Sequence, residues 1–184
     1  MPLELPQSLK DFQSALRQES DRGCALVVAA FLDAELEDLL RTKLVSNVEV
    51  ADNLLGQSRP ISTFSARIDL AFLVGLIPAN AHREFHLIRK IRNDFAHSPI
   101  ATTFESQVIA SRCGQLQCLL YEGLSPRLSL EQSAFLLLGT IEHARGEFSR
   151  VQSPPPIDLV SIKTIGKNLQ SLRQGAMKNS EERE

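Results

Sequence analysis

The chain has 184 residues, a net charge of −2 and a pI near 6.1, with 43% hydrophobic and 23% charged residues. That length accommodates one domain with a sizeable core, and the ordinary charged share excludes wholesale disorder. The mild acidity argues against a broad electrostatic grip on nucleic acid, and the lack of Trp with a single Tyr argues against a base-stacking platform.

The opening MPLELPQSLKDF has no basic n-region and no long apolar run, so no secretory signal is expected. Ser8 is placed to cap a short helix through about Arg17. A long amphipathic helix is predicted over Asp21–Leu44, with Leu32, Leu36, Leu39, Leu40 and Leu44 recurring at three and four. A short piece, Val50–Leu55, ends at Gly56. Pro60 blocks helix, and Ser62 or Ser65 can cap the next one. That helix, Phe64–Ile77, is apolar nearly all round and is predicted to be the central buried element, with Phe72 in the core.

Pro78 stops it, and Asn80 can cap HREFHLIRKIRNDFAH, whose Phe85, Ile88, Ile91 and Phe95 step by three and four. Thr103 is placed to cap a helix to about Leu120. Ser129 and Gln132 read as a capping box for a helix to about Phe148. Residues Ser153–Pro156 form a stiff connector, and a last amphipathic helix is predicted over Leu159–Leu172. No segment alternates as strands do. The expected fold is therefore all-α, a bundle of six to eight helices. The expected organisation is a helical core over 1–152, and a proline-linked helix and tail over 153–184 packed on or extending the same domain.

The longest apolar windows, Cys24–Leu32 and Leu70–Ile77, are far short of the ~20 residues that span a bilayer. A cytoplasmic location without membrane contact is expected. Cys24, Cys113 and Cys118 form no CxxC and read as reduced core residues.

Three clusters invite a chemical reading. Arg92 and His97 stand five apart near a helix end, roughly 140° apart around a regular helix. Arg89, Asn93 and His97 share one face at four-residue steps. Together these groups suit metal-free attack on a phosphodiester: arginine stabilises developing phosphorane charge and histidine moves the proton. Arg92 and His97 are the candidate catalytic pair, with Asn93 supporting. Arg92 and His97 converge only if the last turn unwinds or a second protomer contributes. The bland alternative pairs Arg92 with Asp94 or a neighbouring helix and uses His97 as a helix cap.

Arg89 and Lys90 are candidate RNA-binding residues, or simply cations placed toward a helix C-terminus. His82 and His86 share a helix face at i and i+4, as zinc ligands do; no third-ligand pattern is evident, although Cys113 or Cys118 could in principle approach, and no metal is expected. No cofactor motif is present and no cofactor is expected. No helix-turn-helix pair with a basic recognition helix appears, which argues against direct sequence-specific DNA binding.

The stretch PISTFSARIDLAFLVGLIPANAHREFHLIRKIRNDFAHSPIATTFES resembles the core of the mannitol operon repressor family. The likeness rests on Phe64-Ser65-Ala66-Arg67-Ile68, the apolar helix ending Gly75-Leu76-Ile77, and Ile91-Arg92-Asn93-Asp94-Phe95-Ala96-His97. It covers about Phe31–Leu119. Separately, Arg92-x4-His97 with Asn93 after the arginine is similar to the signature of HEPN-type helical domains. Many of those are metal-independent ribonucleases acting as dimers, and others bind partners. The first resemblance implies a regulator acting in negative control of gene expression as a homodimer through protein contacts. The second implies an endoribonuclease using Arg92 and His97 on RNA.

Overall fold

The structure, a computed structural model, describes residues 6–98 and 102–181, with side chains in the last helix as far as Arg173. Eight helices and no strand occur among the described residues, so the fold is all-α. In chain order they are α1 (Gln7–Leu16), α2 (Asp21–Lys43), α3 (Val48–Leu55), α4 (Phe64–Leu73), α5 (Ala79–His97), α6 (Gln107–Cys113), α7 (Pro126–Glu147) and α8 (Leu159–Glu181). The chain divides into two compact units, Met1–Gln152 and Ser153–Glu184.

In the first unit the central element is α2, not α4. Helix α2 packs on α1, α4, α5 and α7 and buries Cys24, Val28, Leu32, Leu36, Leu39 and Leu40. Ser20 caps it by accepting from the Gly23 amide at 3.0 Å. Helix α4 does pack on α2 and α5, but it stops at Leu73 rather than Ile77. The cause is Gly75, whose φ of 76° lies in the left-handed region. The Leu76 amide donates to the Ala71 carbonyl at 2.9 Å and the Gly75 amide to Phe72 at 3.0 Å. This is the bonding of a Schellman ending, with Leu76 and Ala71 both buried beneath it. The early stop turns Phe72, Leu73 and Val74 outward, and Phe72 is 38% exposed rather than a core residue.

Other boundaries shift for local reasons. Ser8 lies inside α1, where its hydroxyl donates to Glu142 Oε1 at 2.7 Å. Thr63, between the two serines expected to do so, caps α4 through the Ala66 amide. Helix α6 starts after Ser106 and ends at Cys113, seven residues against the longer helix expected from Thr103. Helix α7 begins a turn earlier than expected, with Ser125 as cap and Pro126 in its first turn. Ser129 is therefore buried inside the helix, bonded to the Ser125 carbonyl, and Gln132 instead accepts from the Leu120 amide at 2.8 Å.

Two buried charges lock the helices together. Arg67 on α4 reaches Asp33 at 2.6 Å and Glu37 at 2.5 Å on α2, and donates to the Leu55 carbonyl at the end of α3. Glu84 on α5 is 1% exposed and accepts from the Ser133 hydroxyl of α7, the Gln117 and Cys118 amides, and Arg83. The cysteines behave as core residues: burial pushes the Cys24 and Cys113 thiols up to about 12, with Glu131 adding to the shift at Cys24. Such thiols are not nucleophiles near neutral pH.

In the second unit α8 is amphipathic, its exposed Leu159, Ile162, Ile165, Leu169 and Leu172 recurring at three and four. The Ser161 hydroxyl and amide hold the Asp158 carboxyl below its ordinary value at the helix start. No described helix is long and apolar enough to cross a membrane.

Candidate functional site

The C-terminal end of α5 carries the polar residues singled out by the sequence. Its inner face, Phe85, Ile88, Ile91 and Phe95, is fully buried, which fixes the rotation of the helix. Phe95 is held by the ring of Phe104, 5.0 Å away in a T-shaped contact. The helix stays regular to His97, and Ser98 leaves it with extended geometry, as expected for a residue preceding proline. The Ser98 carbonyl accepts from Arg22 Nη2 at 2.6 Å.

Because the last turn does not unwind, Arg92 and His97 stay roughly 140° apart within one chain. His97 and Asn93 do come together. They line an open pocket of about 440 Å³ with Asp94, Ser98, Thr102 and Ser106 on its polar side and Val108 and Ile109 on its apolar side. Arg89, Lys90 and Arg92 are not among its lining residues. Asp94 forms its ion pair with Arg112 of α6, not with Arg92. Neither Arg92 nor His97 has a hydrogen-bond or ion-pair partner among the described residues. Lys90 is exposed, and the Nε of half-buried Arg89 likewise has no partner among them.

A second cluster sits nearer the other end of α5. His82 Nε2 lies 2.8 Å and His86 Nε2 2.9 Å from the same oxygen, Oδ1 of Asp69 on α4. The two ring nitrogens are 3.2 Å apart. Partial burial pushes the Asp69 carboxyl up, but the hydrogen bonds from both histidines outweigh it and hold the group below its ordinary value. These three residues are the His, Cys, Asp and Glu group able to hold a metal ion among the described residues. The sequence shows the histidine pair, but Asp69 lies thirteen residues before His82, on another helix. The one signal for it is an acidic residue inside an otherwise apolar helix.

The third feature has no sequence motif. A groove of about 600 Å³ runs between α1 and α7, closed by the segment before α7. Its walls are mostly apolar, including Phe12, Leu16, Leu124, Leu128 and Phe135, with Arg17 and Arg127 at its edges. Leu120, Tyr121 and Leu128 beside it are all at least half exposed. Arg127 is held in place by Asp21 at 3.1 Å, Glu131 at 2.9 Å and the Glu19 carbonyl. A half-open apolar groove with fixed charges on its rim suits a protein segment better than a small polar substrate.

No protein-family model matches the sequence, and no curated protein matches it. Among solved structures the chain is similar to one in the X-ray structure of the MtlR–HPr complex from Escherichia coli. The TM-score is 0.62 at 16% identity, over 74% of this chain and 99% of the other. The likeness shows a shared mannitol repressor-like helical fold.

Proposed function

We propose that this chain is a regulatory module of the mannitol operon repressor kind, acting through protein contacts in negative control of gene expression. The observation that carries the reading is the fold it shares with a chain from a protein–protein complex, MtlR with HPr. The groove between α1 and α7 is the docking face this reading assigns. It is a concavity of about 600 Å³ with mostly apolar walls, fringed by exposed Leu120, Tyr121 and Leu128. A partner that fills it gains roughly 1.5–3 kcal/mol for each large apolar side chain buried. The net charge of −2 supports action through a protein rather than on DNA directly. The test is calorimetric titration of the purified chain with HPr, with a Leu128→Asp variant as the control.

The module acts in the cytoplasm as a homodimer, with α4 and α5 as the contact. The apolar run Phe72-Leu73-Val74, turned outward by the early end of α4, supports that contact. Light scattering at tens of micromolar should therefore report twice the chain mass of 20.4 kDa. A monomer across that range would remove the dimer.

A second reading has its own observation. The side chains of Arg92 and His97 have no partners among the described residues, and exposed His97 opens with Asn93 onto a pocket rather than into the core. That state suits a HEPN-type metal-independent endoribonuclease whose site joins Arg92 of one protomer to His97 of its partner. Asn93 supports the pair, and Arg89 and Lys90 hold the RNA backbone.

A further inference from the structure

We propose that Asp69, His82 and His86 form a binding site for zinc or a neighbouring late first-row divalent cation, stapling α4 to α5. The argument begins with the proton count. Three polar atoms, Asp69 Oδ1 and the two Nε2 atoms, lie 2.8, 2.9 and 3.2 Å apart. Each Nε2 carries either one hydrogen or one lone pair. If both rings donate to Asp69, two N–H groups face each other across the third edge. If only one donates, the other ring sets its lone pair against the carboxylate. With the carboxylate ionised, no placement of protons satisfies all three edges, whereas a cation accepts all three lone pairs together.

The dimensions agree with this. The point in their plane equidistant from the three atoms lies roughly 1.7 Å from each. An ion about 1.1 Å out of that plane therefore stands about 2.05 Å from all three, the usual zinc–nitrogen and zinc–oxygen length. Two imidazoles with one carboxylate form a donor set suited to zinc and its neighbours rather than to magnesium or calcium. His82 and His86 are one helical turn apart on α5, so the backbone sets their spacing, and α4 brings the carboxylate. The ring of Phe72 lies against His82 with centroids 4.7 Å apart and walls one side. Asp69 is half exposed, which leaves the remaining coordination positions open to water or an incoming ligand.

This site is separate from the pocket at His97. Eleven residue steps of helix, roughly 16 Å, separate His86 from His97. It does not depend on the proposed regulatory role.

The experiment is titration of the metal-stripped full chain with zinc chloride, followed by calorimetry and by thermal unfolding. Wild type should take up one zinc per chain and unfold roughly 5–10 °C higher at a hundredfold excess over Kd, with the shift reversed by EDTA. His82→Ala/His86→Ala should lose both the binding and the shift. That variant retains His97 and His143, so adventitious binding there is subtracted. Asp69→Asn, which preserves the side chain's shape, should weaken binding by at least ~10–100-fold. Magnesium and calcium should give no shift. The proposal is overturned if wild type takes up no more zinc than the double variant. Equal binding by Asp69→Asn and wild type would overturn it equally, since the carboxylate would then not be a ligand. Circular dichroism of the metal-free variants checks that each loss of binding is not a loss of fold.

Discussion

Glu84→Ala should unfold roughly 6–20 °C below the parent chain, the equivalent of about 3–5 kcal/mol in a protein of this length. Glu84 is 1% exposed, and its carboxylate accepts from several groups at once. Removing it leaves the fully buried Ser133 hydroxyl without its 3.1 Å partner. It also frees the Gln117 and Cys118 amides, and leaves the half-exposed Arg83 guanidinium, which donates to Glu84 at 2.6 Å, with only the Gln115 carbonyl. Buried donors left unpaired cost more than the bonds were worth, because water does not replace the lost acceptor. The clamp joins α5, α7 and the segment before α7, so the loss is global rather than local. Glu84→Gln keeps one acceptor oxygen but turns an NH₂ donor toward other donors, and should fall between the two. An alanine variant melting within about 2 °C of the parent would show that the carboxylate is not a structural clamp.

On the ribonuclease reading, His97→Ala should lower the rate of RNA cleavage by about 10²–10⁴-fold, the range for loss of a general acid or base. Arg92→Lys should fail too, because a point-charge ammonium does not reproduce the planar fork on a phosphate. Cleavage should survive EDTA, leave 2′,3′-cyclic phosphate ends and spare DNA, since the adjacent 2′-hydroxyl is the nucleophile. The separation of Arg92 and His97 around one helix adds a sharper test. A site shared between protomers is rebuilt when Arg92→Ala and His97→Ala chains are mixed. Free exchange should restore roughly a quarter of wild-type activity, since half the dimers are mixed and each has one intact site. If wild-type protein and the double variant leave mixed RNA equally intact in EDTA, this reading is dropped.

What was legible in the sequence was what helical periodicity encodes. The buried stripe of α5 and Leu32, Leu36, Leu39 and Leu40 of α2 are legible residue by residue, because three-and-four spacing directly reports one helix face; Leu44 falls just past the end of α2 and is only partly buried. The end of α4 was misread, because its apolar run continues through Leu76 and Ile77. Gly75 at positive φ reverses the chain there, and no periodicity records that. The caps slipped by one to four residues wherever several Ser or Thr side chains competed, as at Ser62, Thr63 and Ser65. The polar residues of the α5 end were all visible, and the structure places His97 and Asn93 together at one pocket. Their relation to Arg92 was legible too, since it follows from helical geometry alone. Asp69 with His82, and Glu84 with Ser133, were not legible, because each pair joins residues from different helices. The groove between α1 and α7 was hidden for the same reason.

The central claim, that this chain works by docking a protein in that groove, is tested most directly by titrating it with Escherichia coli HPr. Leu128 is the residue to vary, because it is 50% exposed, lines the groove and sits in the first turn of α7, where an aspartate suits the helix. The account predicts saturable one-to-one binding by wild type. Leu128→Asp should weaken it by about 10–100-fold, the loss of one buried leucine from an interface. No binding by wild-type protein at hundreds of micromolar, or equal binding by Leu128→Asp, would contradict it.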